Sequence, residues 1–322
     1  AEKMAEILAN ELNLNPEEIA VASTGIIGRQ LPMEVIEENI KILVKQLSSS
    51  PEASLNVTKA IMTTDTLLKE IAVKTILEDG KEIHIGGIAK GAGMIGPKLK
   101  LATLLCFLTT DAVISRSALK QALQEAINQS LNMAIVDGDL STNDTVLILA
   151  NGKAGNQMIK VKNERFQEAL NFVLRELAKM IVKNAEGATK FIEVRVLNAR
   201  TKIDAKKIAL AIVRSPLVKA AFFGEDPNWG RIVAAVGSVA TNLDPEKLSI
   251  AFENSKGQSV SAVEKGKIII DEGTQELTLA RELLKDKDLK ILVDLGLGKS
   301  QATAWGCDLS YDYIKTNAVL TS

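Results

Sequence analysis

The run Lys90-Gly91-Ala92-Gly93-Met94-Ile95-Gly96-Pro97 is the first place in this sequence where chemistry suggests itself. Three glycines and a proline let backbone approach a ligand closely, or simply turn the chain. Shortly after it, Ala102-Thr103 sets a small residue before a hydroxyl residue, at the border between this loop and an apolar run. Such a junction suits backbone self-cleavage. The threonine hydroxyl attacks the preceding carbonyl, an N→O acyl shift gives an ester, and water releases a new N-terminal threonine. Its freed α-amine, with a pKa of about 7.7–8.0, can act as base for its own hydroxyl.

Other groups point to less. Asp137, Asp139, Asn143 and Asp144 form an oxygen-rich segment of the kind that binds Ca²⁺ or Mg²⁺. The spacing of a calcium-binding helix-loop-helix is absent, so turn hydrogen bonding is the reading and no metal is expected. His84 is the only histidine, in the alternating run EIHIGG, and reads as a half-exposed strand residue. Cys106 and Cys307 sit in apolar stretches and read as reduced core thiols. Gly298-Lys299-Ser300 ends like a phosphate-binding loop, but Val293 stands where that loop needs a glycine.

These residues need elements to hold them. Apolar spacing predicts amphipathic helices from the first residues, at 33–48, and up to Met62. Asn15-Pro16 opens a helical turn before a strand-like IAVAS. EIAVKTIL and KEIHIGGIA flank Glu78-Asp79-Gly80 as a hairpin, and TLLCFLTTDAVI reads as a buried strand. Helices follow at about 117–131, 163–184, 202–214 and 274–286. FIEVRVLNA is a strand, and another is expected to lead into FFGEDPNWGR. NAEGATK reads as a domain junction, dividing 1–186 from 187–322.

Composition excludes several classes. Lys+Arg 39 against Asp+Glu 40 leaves a net charge of −1, so no basic field attracts nucleic acid. Aromatics at 3% supply no stacking platform for single strands. No stretch reaches the ~18–20 apolar residues of a membrane span.

Seven segments together carry a resemblance. They are ASTGIIGRQLP (22–32), IMTTDT (61–66), KGAGMIGP with LATLLCFLTTDA (90–112), VDGDLSTNDT (136–145), ANG (150–152), FGEDPNWGRI (223–232) and WGCDLSYDYIKTNAVLTS (305–322). In this order the chain resembles the ornithine acetyltransferase (glutamate N-acetyltransferase) family of arginine biosynthesis. The resemblance implies that Ala102-Thr103 is cleaved and that Thr103 becomes the nucleophile. It assigns Thr24 and Gly25 to an oxyanion hole, and Thr64, Lys90, Thr103, Glu225, Asn317 and Ser322 to substrate binding. Lys90 would hold a carboxylate and Glu225 an amine, or the reverse, or Glu225 would help position the nucleophile.

The expectation is therefore a cytoplasmic acyltransferase that moves acetyl from N-acetylornithine to glutamate through an acetyl-threonine. It needs no cofactor, although some family members also accept acetyl-CoA as donor. The implied fold is an αββα-type sandwich, stacked sheets between helical layers, with a smaller C-terminal α/β domain. Chains 1–102 and 103–322 would stay together and pair into a heterotetramer, with neither nucleic acid nor membrane as partner. The chain departs from the family pattern twice. Ala1 aligns inside the family's first chain, as expected of a fragment or of a shortened variant, and Lys98-Leu99-Lys100-Leu101 replaces a two-residue spacer. The alternatives are an N-terminal-nucleophile aminopeptidase or amidase, and an unprocessed family member without turnover.

Overall fold

The computed structural model describes residues 1–96, 104–239 and 242–319. Three helices come first: α1 (Glu2–Leu12), α2 (Met33–Val44) and α3 (Pro51–Ala60). β1 (Glu70–Ile76) and β2 (Glu82–Lys90) form the expected hairpin, with Glu70 opposite Ile88 and Ile76 opposite Glu82. β3 (Leu105–Thr110), α4 (Arg116–Gln129), β4 (Ala134–Ile135) and β5 (Thr145–Ala150) follow. The long helix α5 (Glu164–Lys183) leads to β6 (Phe191–Ala199). Then come α6 (Lys202–Arg214), α7 (Pro216–Phe223), α8 (Trp229–Gly237), β7 (Ser249–Asn254), β8 (Ser259–Glu264) and β9 (Lys267–Ile268). The last elements are α9 (Gln275–Leu283), β10 (Asp288–Asp294), β11 (Ser300–Cys307) and α10 (Tyr311–Val319).

Among the described residues the strands make two sheets. One has the order β1-β2-β3-β5, antiparallel except for the parallel β3–β5 pair. The other has the order β4-β11-β6-β10-β7-β8-β9. α5 packs across β1 and β2 and also reaches β4 and β11, while α6 covers β6 and β11. The mixed α/β layering is as expected. Helix α5 lies against both sheets. Its apolar residues explain this. Phe166, Leu170, Val173, Leu174, Leu177, Ala178, Ile181 and Val182 are all buried, a face about half the helix circumference and wider than the usual ~100° stripe of a one-sided helix. Burying each large side chain contributes about 1.5–3 kcal/mol. A single core cluster runs through both sheets and across the 186/187 division.

Two local expectations are corrected. IAVAS forms no strand; residues 19–25 are irregular. The segment before FFGEDPNWGR is helix α7, not a strand. Pro216 fills its first position and the Ser215 hydroxyl caps it by accepting from Val218 N. Proline is preorganised for a first helical turn and a serine cap satisfies an orphan N–H, so local chemistry outweighs the apolar run.

Candidate active site

The end of β2 delivers Lys90 to a cleft of about 500 Å³. In the register of the four-stranded sheet Lys90 lies opposite Leu105, and Leu105 opposite Thr145. The start of β3 is thus bracketed by the glycine-rich loop on one side and the Asp144–Thr145 segment on the other. Lys90 is 1% exposed, and its side-chain hydrogen bond is a long one, 3.4 Å to Thr63 Oγ1. Burial holds its ammonium below the usual lysine range, against the favourable charges of Asp65 and Asp144.

Beside it stands a second buried lysine with full company. Lys69 Nζ pairs with Asp65 Oδ1 and donates to Asn184 Oδ1 at 2.7 Å. The same Asp65 oxygen accepts the Gly91 N–H at 2.8 Å, and its other oxygen accepts the Thr63 N–H at 3.2 Å. Burial works against the Asp65 carboxylate, but the Gly91 bond and Lys69 together hold it below its ordinary range. This cluster ties the IMTTDT segment to the glycine-rich loop.

The opposite wall rests on Glu186. Its Oε1 accepts from Thr64 Oγ1 at 2.7 Å and its Oε2 from Asn317 Nδ2 at 3.0 Å. One carboxylate thus joins the segment after α3 to helix α10. Two glycines permit the approach. A Cβ on Gly93 would stand 2.6 Å from Glu186 Oε2, and one on Gly187 would stand 2.2 Å from the Tyr313 backbone nitrogen. Neither position has room for a side chain. Asp137 pins the loop from below, accepting from Met94 N at 2.8 Å, Ile95 N at 3.1 Å and Asp139 N at 3.2 Å. Tyr313 Oη also donates to it at 3.3 Å. Burial nonetheless raises the Asp137 pKa.

Thr24, Gly25, Thr64, Lys90 and Asn317 all line this one cleft. Glu225 does not. Its carboxylate is held at 2.8 Å by Lys190 Nζ, which also donates to Leu284 O. Glu225 is therefore paired with a buried lysine and is not among the residues that line the cleft. Ala102, Thr103 and Ser322, and the Lys98–Leu101 insertion, lie outside the described residues. Leu104 packs on the loop: a Cβ on Gly91 would meet Leu104 Cδ1 at 3.7 Å.

Glu186, Tyr313 and the Asp65–Lys69–Asn184 cluster were not foreseen. Glu186 stands in NAEGATK, which reads as a junction. Its one sequence signal is a carboxylate directly before a glycine. The Asp137–Asp144 segment does bond backbone N–H groups as turns do. His84 is exposed on β2 and bonds Asp111 Oδ2 at 2.8 Å, while Cys106 and Cys307 are buried free thiols. Burial pushes the Cys106 thiol up to about 12, which makes it inert. A larger hollow of about 660 Å³ between α5, α6 and β6 contains none of the residues that carry the expected chemistry. Among the described residues no helix is long and apolar enough to cross a membrane.

The fold and cleft define an α/β protein whose polar site is assembled around the start of one sheet strand. The model of the ArgJ family matches residues 1–322, and the chain belongs to that family. It is 49% identical over 322 residues to the glutamate N-acetyltransferase of Methanocaldococcus jannaschii, covering 100% of this chain and 79% of the relative. It is 46% identical over 321 residues to the arginine biosynthesis bifunctional protein ArgJ of Caldanaerobacter subterraneus subsp. tengcongensis, covering 98% and 77%. The crystal structure of arginine biosynthesis bifunctional protein argJ from Bacillus halodurans superposes with a TM-score of 0.60 and 38% identity. That match covers 66% of this chain and 97% of the other.

Proposed function

We propose that this protein is a glutamate N-acetyltransferase of arginine biosynthesis that acts through a self-generated N-terminal threonine. The observation that carries the reading is the meeting of Thr24, Gly25, Thr64, Lys90 and Asn317, from separated segments, in one cleft beside Leu104. In the intact chain Thr103 Oγ attacks the Ala102 carbonyl. The C–O bond forms, the C–N bond breaks, and the hydroxyl proton passes to the released nitrogen. Water then hydrolyses the ester.

The freed α-amine takes the Thr103 hydroxyl proton as this oxygen attacks the acetyl carbonyl of N-acetylornithine. Thr24 and Gly25 supply donors to the oxyanion, where losing one donor typically costs about 10²–10³ in rate. Ornithine leaves with the proton, and glutamate attacks the acetyl-threonine to give N-acetylglutamate. Lys90 meets the substrate α-carboxylate through a charge-assisted bond. Glu186 meets the cationic end, with Thr64 and Asn317 beside it; Glu225 joins once its pair with Lys190 opens. Ser322 is assigned with Asn317 to the substrate. Acetyl-CoA is an additional donor to be assayed. Chains 1–102 and 103–322 remain associated, as a cytoplasmic heterotetramer.

Intact mass under denaturing conditions tests the first step on wild type and Thr103→Ala. Two chains split at Ala102-Thr103 in the wild type, and one in the variant, are expected. A wild type that stays whole overturns the mechanism. Incubation with N-acetylornithine and glutamate should then yield N-acetylglutamate; release of acetate alone would make the protein a hydrolase.

A further inference from the structure

The hollow of about 660 Å³ between α5, α6 and β6 shares no lining residue with the cleft that holds Lys90. Its floor is a face of the seven-stranded sheet, where Trp305 lies opposite Glu193 and Thr303 opposite Arg195. One wall is α5, on which Asn171, Arg175 and Lys179 recur at the four-residue spacing that puts side chains on one stripe. Another is the start of α6, with Lys202 and Lys206.

Charge here is lopsided. Five cations line the hollow against two carboxylates, Glu176 and Glu193. Both carboxylates are already engaged. Burial works against the Glu193 carboxylate, but Trp305 Nε1 at 2.9 Å and Arg195 Nε at 2.6 Å donate to it and hold it below its ordinary range. Glu176 accepts from Lys179 Nζ at 3.0 Å and lies 3.5 Å from Arg175 Nε. Among the described residues the terminal guanidinium nitrogens of Arg175 and Arg195 have no hydrogen-bond partner. Nor does Lys202 or Lys206 have an ion pair there; Lys206 Nζ donates to a carbonyl, Asn128 O, at 2.6 Å. These two lysines stand one turn apart on α6, a like-charge spacing that weakens a helix, at the end where the helix dipole disfavours cations. Burial, and after it the charge of Lys202, holds the Lys206 ammonium below the usual lysine range. An anion in the hollow would remove that cost.

We propose that the hollow binds a small anion carrying two or more negative charges on phosphate or carboxylate groups, received by Arg175 and Arg195 together with Lys202 and Lys206. Guanidinium groups take such oxygens two at a time, and the ammonium groups add point charges. A single negative charge would leave most of the excess unanswered. The volume is that of a small-molecule site. The site does not depend on whether the chain is processed, so it stands or falls apart from the nucleophile reading.

The test is calorimetric titration of the full chain with pyrophosphate, citrate and acetate. Saturable binding of pyrophosphate or citrate, one per chain, with acetate about tenfold or more weaker, is the expected result. Tighter pyrophosphate assigns the site to phosphorylated compounds, and tighter citrate assigns it to polycarboxylates. Lys202→Gln/Lys206→Gln should raise Kd about tenfold or more. Lys256→Gln/Lys267→Gln removes the same charge from exposed positions outside the hollow and should leave Kd within about twofold. Equal weakening in both variants, titrations that do not saturate, or acetate that binds as tightly as pyrophosphate would overturn the proposal. Should Lys202→Gln/Lys206→Gln fail to fold, Arg175→Gln decides in its place, and an unchanged Kd there counts against the site.

Discussion

Lys69 and Lys90 are both buried ammonium groups at the same end of the four-stranded sheet, yet their surroundings differ. Lys69 is surrounded by Asp65, Asn184 and a main-chain carbonyl, and Asp65 is in turn satisfied by two N–H groups. Among the described residues Lys90 has one long bond to a hydroxyl, and Asp144, one of the two carboxylates that act on it, has an oxygen with no donor. A compensated pair of this kind holds a structure together. A poorly compensated buried charge is carried by the fold at a cost, and Lys90 lines the cleft. The difference separates what braces the loop from what awaits a ligand.

Substitutions can break that contrast. Lys69→Met leaves Asp65 charged and buried without its cation, and should lower the free energy of unfolding in urea by about 3–5 kcal/mol. Lys90→Met should leave urea stability within about 1 kcal/mol, because it removes a poorly answered charge. Its cost falls on turnover: kcat/KM should drop roughly 10- to 100-fold, mainly through KM, if the ammonium meets a carboxylate.

The two clusters should also titrate in opposite senses. Asp65 has a lowered folded pKa, so its contribution is present above the unfolded value and is lost as pH falls through the folded one. Asp144 has a folded pKa raised to about 7. Between the unfolded value and that point the folded chain keeps a proton the unfolded chain has released. Stability from this group is therefore greatest in acid and falls as pH rises through about 7. In the uncleaved Thr103→Ala chain the fall should be about 1–2 kcal/mol, below the full linkage value because the residue is half-buried. Thr103→Ala/Asp144→Asn should lack it. The smallest effect on stability belongs to Glu186→Gln, whose amide can accept only one of the two bonds from Thr64 and Asn317; about 1 kcal/mol in urea is expected.

Much of the scaffold was legible in the sequence. α5, α6 and the β1–β2 hairpin follow directly from apolar spacing and turn residues. The cleft-lining positions Thr24 and Lys90 came from the family resemblance instead, not from spacing. α7 was misread because an apolar run was weighed above the Ser-Pro start. Glu186 was missed for a different reason. Its partners lie 122 and 131 residues away, and no local pattern encodes a bond of that span. Glu225 shows the converse. Its motif is distinctive, but the ion pair with Lys190 is a three-dimensional fact that its neighbours in sequence do not announce.

The Glu186 clasp also sets a schedule. Thr64 leaves the ribosome long before Asn317, and at about 5–20 residues per second the interval is roughly 10–50 s. Throughout that time the nascent chain can form the β1–β2 hairpin but cannot close the cleft, since one wall has yet to be translated. Any reaction that needs the closed cleft is deferred until nearly all of the described chain exists, so a prematurely terminated product would carry the junction without the means to act on it.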